Sequence, residues 1–191
     1  MKEIILASAS PRRRELLQQI GLEPKVMPSD VNEEEIEAAS PAETVEKLAL
    51  KKAGVVAETV RDGLVIGGDT LVVMRNRILG KPQHEGEAEE MLHLLSGNCH
   101  LVMSGLAIVD AETGCCRFTH DTTKVFFRKL SEAEIKGYIR SGEPFDKAGA
   151  YGIQGLGALL VERIEGCYFN VVGLPIAHLV SLLKQFGREL L

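Results

Sequence analysis

The first twenty-one residues contain a unit that few folds can accommodate. Ile4, Ile5 and Leu6 form a short apolar run, and within a few residues the pattern switches to a helical period. Ser10 carries a helix N-cap side chain, and Pro11 suits the first helical position. Leu16, Leu17 and Ile20 then supply an apolar stripe that Gly21 ends. A strand that feeds a capped helix so directly begins an α/β fold, in which helices cover a sheet.

The rest of the chain keeps the alternation. Lys25–Met27 reads as a second strand. Residues 41–60 have helical spacing, with Val45, Leu48, Ala49, Ala53 and Val56 on one side. Leu64-Val-Ile-Gly-Gly-Asp-Thr70 reads as a buried strand that ends in two glycines and a carboxylate, and a short helix follows at 87–95. Leu101–Val109 and Thr119–Phe127 flank the turn Glu112-Thr-Gly114 as a long antiparallel hairpin. Ser131 and Glu134 form a capping box for a helix through Ile139. Residues 143–157 read as a glycine-rich loop or broken strand, 159–164 as a strand, and Pro175 starts a terminal helix with apolar positions from Ile176 to Phe186. There is no repeat, low-complexity tract or linker, so residues 1–191 are expected to form a single domain.

Charge narrows the partners. The net charge of −5 argues against a broad basic surface for nucleic acid. Against that background Arg12, Arg13 and Arg14 form a positive island in the first turn of a helix, where the unpaired N–H groups already favour anions. Three cations there need an anion, and arginine forks at a helix start suit phosphate. Arg12 and Arg13 are the stronger candidates; Arg14 reads as surface. Lys52, Lys81 and Lys147 can add point charges for phosphate, the last two held beside turn-forming residues.

Asp69 stands at the end of an apolar strand, where α/β folds gather ligands, and its paired glycines permit close approach to the backbone. Glu33, Glu143 and Asp146 are further carboxylates in loop-like segments, while Glu34 and Glu35 read as a solvated acidic run. Oxygen donors without histidine or cysteine suit Mg²⁺ or Mn²⁺. Other chemistries lack their motifs. There is no G-x-x-x-x-G-K-[ST] loop, no complete dinucleotide fingerprint, no calcium loop and no G-x-S-x-G elbow. Cys99, Cys115, Cys116 and Cys167 form no zinc-type pair, which fits a reducing compartment. The first apolar run is too short for a signal peptide, and no uninterrupted apolar stretch reaches about 18 residues, so a cytoplasmic protein with no membrane partner is expected.

Five segments taken together resemble one family. They are residues 7–17 (Ala-Ser-Ala-Ser-Pro-Arg-Arg-Arg-Glu-Leu-Leu), 67–70 (Gly-Gly-Asp-Thr), 80–82 (Gly-Lys-Pro), 142–155 (Gly-Glu-Pro-Phe-Asp-Lys-Ala-Gly-Ala-Tyr-Gly-Ile-Gln-Gly) and 170–175 (Asn-Val-Val-Gly-Leu-Pro). In that order they resemble the Maf family of nucleoside triphosphate pyrophosphatases. The resemblance implies a mixed, elongated sheet flanked by helices, akin to inosine triphosphate pyrophosphatases, with two lobes around a cleft. It implies hydrolysis between the α- and β-phosphates, giving a nucleoside monophosphate and pyrophosphate, with a divalent metal. By the same resemblance Asp69 matches the general base. Arg12, Thr70 and Gln154 match specificity positions, and Ser8, Arg13, Glu33, Lys52 and Lys81 match other pocket residues. Two departures are small: Lys47 stands where members often carry arginine, and Arg14 varies. A homodimer and a role in septum formation are also compatible with it.

Gln154 further resembles the branch that acts on dTTP and UTP; the branch acting on 7-methyl-GTP carries a glutamate there. An amide offers a donor and an acceptor, which matches a uracil or thymine edge, whereas a carboxylate only accepts, which matches the donors of guanine. A mismatched polar edge is rejected far more strongly than an added methyl, so C5-modified uridine nucleotides are expected substrates as well. The competing readings are a purine-directed pyrophosphatase, a 7-methyl-GTP pyrophosphatase and a non-catalytic nucleotide sensor. Asp69 can serve as general base or as metal holder, and the sequence leaves both open.

Overall fold

A computed structural model describes residues 2–33 and 36–191. Its regular elements are β1 (Ile4–Leu6), α1 (Pro11–Gln19), β2 (Lys25–Val26), α2 (Pro41–Ala57), β3 (Leu64–Met74), β4 (Arg77–Leu79), α3 (Glu85–Leu95), β5 (Cys99–Asp110), β6 (Cys116–Phe127), α4 (Glu132–Arg140), β7 (Val161–Glu165), α5 (Tyr168–Val172) and α6 (Ile176–Gln185). The strands form a mixed seven-stranded sheet in the order β2-β1-β3-β5-β6-β7, with β4 beside β3. β1 lies parallel to both β2 and β3, so Ile5 faces Lys25 on one side and Val65 on the other. Parallel strands need covered faces, and the continuous apolar runs of β1 and β3 supply the buried side chains.

The first helix forms as its sequence dictates. Ser10 Oγ accepts the Arg13 N–H, Pro11 occupies the first turn, and Leu16 and Leu17 are buried. Ser131 and Glu134 make the expected capping box at α4. α2 stops at Ala57, a turn before the expected end.

Three elements depart from the sequence reading. β4 and α5 were not expected at all, and the stretch expected as a loop or broken strand carries three short 3₁₀ turns (Glu143–Asp146, Ala148–Ala150 and Gly155–Leu159), with the expected strand present as β7 but beginning at Val161. β4 is hidden in sequence because its hairpin turn is Arg75-Asn76, both with positive φ (50° and 63°), instead of the usual Asn-Gly or Asp-Gly. The expected run at Glu34 and Glu35 lies outside the described residues.

Contacts divide the chain into two compact units. One comprises Met1–Asp69, Ser104–Asp121 and Gly173–Leu191; the other comprises Thr70–Met103 and Thr122–Val172. Within the first unit, Ile5, Ala7, Val65, Ala107 and Val109 from the strands pack with Ala49, Ala53 and Val56 of α2. Alanine on the helix and glycine on the strands bring the two backbones unusually close. A Cβ on Gly67 would fall 2.2 Å from Ala49 O, and one on Gly105 would fall 2.0 Å from Val45 O. α2 therefore lies directly on β3 and β5 at these points.

Within the second unit, Leu92 and Leu95 of α3, Ile135 and Tyr138 of α4, and Val125 and Phe127 of β6 build a separate core with Tyr151. His100 is buried there, with Nε2 2.6 Å from Tyr151 Oη and its ring edge-on to Phe127. Among the described residues, no helix is long and apolar enough to cross a membrane.

Candidate active site

The first unit gathers five of the residues singled out from the sequence. Ser8 follows β1 directly and is buried, and its Oγ accepts from the Ser10 N–H at 3.2 Å and from Arg13 Nη1 at 3.0 Å. Arg13 Nε donates to the carbonyl of Gly173 at 2.9 Å, 160 residues away in sequence. The guanidinium lies across Gly68, where a Cβ would come within 3.1 Å of Nε, so the second glycine of the Gly-Gly-Asp motif makes room for it. Burial lowers the pKa of Arg13 from its ordinary value; the charge of Asp69 opposes this, Arg12 adds to it and Glu33 opposes it again. Crowded cations at a helix start are the setting that a multivalent anion relieves.

One turn of α2 brings in the next cation. Lys52 Nζ donates to Asp69 Oδ1 at 2.7 Å and to Glu33 Oε1 at 2.6 Å. The Lys52 and Asp69 side chains are only 13% and 9% exposed, so this is a nearly buried pair, while Glu33 reaches it from the surface at 58%. Breaking a buried pair by removing one partner costs about 3–5 kcal/mol, because the other charge is left uncompensated. Asp69 is thus held by the helix that rests on Gly67, two residues earlier on the same strand.

Two carboxylate oxygens converging on a single cationic atom form a donor set that fits a hard divalent ion. Mg²⁺ is usually held by one or two carboxylates, with substrate phosphates and water completing its shell. Among the described residues, groups of three or more potential metal ligands occur elsewhere, at Glu89-His93-Glu132 and Asp62-Asp110-Glu112, and neither includes Asp69 or Glu33.

The remaining candidates divide by unit. Arg12 is half-buried next to Arg13, whereas Arg14 is exposed, as expected. Thr70, half-buried on β3, begins the second unit, which also holds Lys81, Lys147 and Gln154. Lys81 is exposed on the connection between β4 and α3. The Lys147 ammonium bonds its own turn, at 2.6 Å to Glu143 O and 2.5 Å to Asp146 Oδ1. Gln154 is half-buried in extended backbone just before the 3₁₀ turn Gly155–Leu159.

Sequence reasoning missed one participant, the carbonyl of Gly173. A backbone acceptor leaves no side-chain signal; only the Asn-Val-Val-Gly-Leu-Pro segment marked its neighbourhood.

Comparison with known proteins places the chain in a family. The chain matches the family model described as Maf-like protein over residues 3–186. It is 50% identical over 191 residues to a protein of Pelotomaculum thermopropionicum named dTTP/UTP pyrophosphatase, covering 100% of both chains. A protein of the same name from Moorella thermoacetica is 52% identical over 189 residues, covering 99% of this chain and 97% of the relative. One from Bacillus cereus is also 52% identical, with 99% and 92% covered. Among solved structures, a HAM1 protein from Coxiella burnetii has the same fold, with a TM-score of 0.55 at 16% identity over 97% of this chain and 100% of that one. By sequence over nearly its whole length, the chain belongs to the Maf-like protein family.

Proposed function

We propose that the chain is a nucleoside triphosphate pyrophosphatase acting on dTTP and UTP, and on C5-modified uridine triphosphates, releasing the nucleoside monophosphate and pyrophosphate. The observation that carries this reading is the joined set Arg13–Ser8 and Lys52–Asp69–Glu33 at one helix start and strand end. A non-catalytic sensor would need the cations but not the buried carboxylate. The names of relatives at about half identity support the pyrimidine preference.

In this reading Arg12, Arg13, Lys52 and Lys81 neutralise the triphosphate, with Ser8 fixing the Arg13 fork. Phosphoryl chemistry needs positioning and charge neutralisation more than covalent help. Asp69 and Glu33 are the donors for Mg²⁺ or Mn²⁺, which when bound would neutralise phosphate charge and acidify a coordinated water. The alternative role for Asp69 is general base, taking a proton from the attacking water instead of holding the metal, and the residue is essential in either role. Lys147, already bonded within its own turn, contributes by holding the segment that leads to Gln154. Thr70 and Gln154 read the base, the amide pairing one donor and one acceptor with the uracil or thymine edge. Residues 1–191 act as one functional domain.

The deciding experiment measures pyrophosphate release with Mg²⁺ across a nucleotide panel, for the wild type and for Asp69→Asn. dTTP and UTP should be the preferred substrates, and the variant, assayed well below its lowered Tm, should lose turnover by about 10²–10⁴-fold. A wild type that favours purine nucleotides, or an Asp69→Asn enzyme with near-normal turnover, would refute this reading.

A further inference from the structure

We propose that Glu143 and Tyr138 are positioning residues for Gln154: they clamp the segment Gly152–Gly157 from two sides and so set where its amide stands. This deepens the proposed function and rests on its reading of Gln154 as the residue that reads the base.

The segment is pinched at its neck. A Cβ on Gly157 would lie 1.9 Å from the carbonyl oxygen of Gly152, so the two glycines touch backbone to backbone and residues 153–156 form a closed loop. Tyr138 of α4 guards that neck. Its Oη accepts the Gly152 N–H at 3.3 Å and would stand 2.9 Å from a Cβ on Gly157. The Lys147 stem packs against the outer side of Gly152, its Cδ and Cε each 2.9 Å from where a Cβ would be.

Glu143 holds the other side. Its Oε1 accepts the Leu156 N–H at 3.0 Å, and a Cβ on Gly155 would fall 2.8 Å from the same oxygen. Gly155 has φ +63°, so a side chain there would be strained as well as blocked. Oε2 is enclosed by protein. Burial raises the phenol pKa of Tyr138, the hydrogen bond from Gly152 opposes this and the charge of Glu143 adds to it, so the hydroxyl keeps its proton. The Lys147 ammonium donates to the Glu143 carbonyl at 2.6 Å and fixes the turn from which the carboxylate projects.

Gln154 therefore sits between two anchored peptide groups, Gly152 on one flank and Leu156 on the other. An amide that must present its donor and acceptor in a set order gains from a backbone that cannot rotate. A displacement of about 1 Å in a recognition group can cost about 10²-fold in rate. A carboxylate spent on a backbone N–H beside Gln154 acts on the loop.

The test compares kcat and KM for dTTP and GTP in the wild type, Glu143→Ala, Glu143→Gln and Tyr138→Phe, with Tm measured for each. Glu143→Ala should lower the dTTP/GTP selectivity ratio by about tenfold, mainly through a higher KM for dTTP. Glu143→Gln keeps an acceptor for the Leu156 N–H and should restore the ratio to within about threefold of wild type. In a Gln154→Ala background, Glu143→Ala should leave the ratio unchanged, because the two residues act as one unit. Rates that fall in proportion on both nucleotides would show a merely structural role and overturn the proposal, as would Glu143→Ala changing the ratio equally with and without Gln154. If instead the wild type shows no preference for dTTP over GTP, it is the reading of Gln154 that fails, and the clamp with it.

Discussion

Gly67→Ala would move a helix and, with it, the site. The added methyl would fall 2.2 Å from Ala49 O and 2.9 Å from both Ala53 Cβ and Ala53 N, where an ordinary contact begins near 3.4 Å. Relief requires α2 to rise from β3 by roughly the difference, about 1.2 Å, since the obstructing atom is backbone and cannot rotate away. Overpacking of this kind costs about 1–3 kcal/mol. At about 2–4 °C per kcal/mol for a domain of this size, Tm should fall by about 2–12 °C. The functional loss should exceed what that instability explains. Lys52 lies between Ala49 and Ala53 on the lifted helix, and a 1.2 Å rise would stretch its 2.7 Å bond to Asp69 out of range. Turnover measured well below the new Tm should drop by about 10²-fold. The control is Gly54→Ala on the same helix, where a Cβ meets nothing within 4 Å. It should be neutral or stabilising by about 0.5–1 kcal/mol, as expected for alanine over glycine inside a helix. A Gly67→Ala protein with wild-type Tm and turnover would refute the claim that glycine is what seats α2.

Arg13→Lys keeps the charge but cannot bond Ser8 Oγ and Gly173 O through one rigid fork, so kcat/KM should fall at least tenfold; steady-state kinetics at fixed Mg²⁺ decide it. His100 is held neutral by burial, its pKa lowered to about 4 from 6.5. Its contribution is complete above pH 6.5 and is lost as pH falls toward 4, because the unfolded chain takes up the proton first, for a total of about 3 kcal/mol. Tm followed from pH 7 to 4.5 should therefore fall less steeply in His100→Gln than in the wild type, and parallel curves would contradict this. Replacing Arg75-Asn76 by Asn-Gly should raise Tm by a few degrees, since both positions have positive φ; an unchanged or lower Tm would show that the turn carries no strain.

Much of the site could be read in the sequence because its residues also punctuate structure. Ser10 caps α1, Pro11 opens it, and the same junction carries Arg13. Gly67-Gly68-Asp69 announces a close approach, and two different partners use it: the α2 backbone over Gly67 and the Arg13 guanidinium over Gly68. What escaped sequence reading depends on contacts without side-chain signatures or on unusual residues in familiar roles. His84 caps α3 through Nδ1, a task normally given to Ser, Thr, Asp or Asn. Arg75 occupies a turn position that favours glycine or asparagine. The glycine-rich stretch from 143 to 157 lacked periodicity, and only its tertiary anchors at Tyr138 and Glu143 reveal order.

The bond from Arg13 to Gly173 has a consequence for how the protein comes into being. During synthesis the ribosome delivers Ser8, Arg13, Lys52 and Asp69 early, and the carbonyl that the guanidinium requires comes more than a hundred residues later. Until Gly173 has emerged, the Arg13 Nε–H lacks its native acceptor. A nascent chain thus cannot fix the Arg13 guanidinium as the finished one does, and this end of α1 takes its final form only when synthesis is nearly complete.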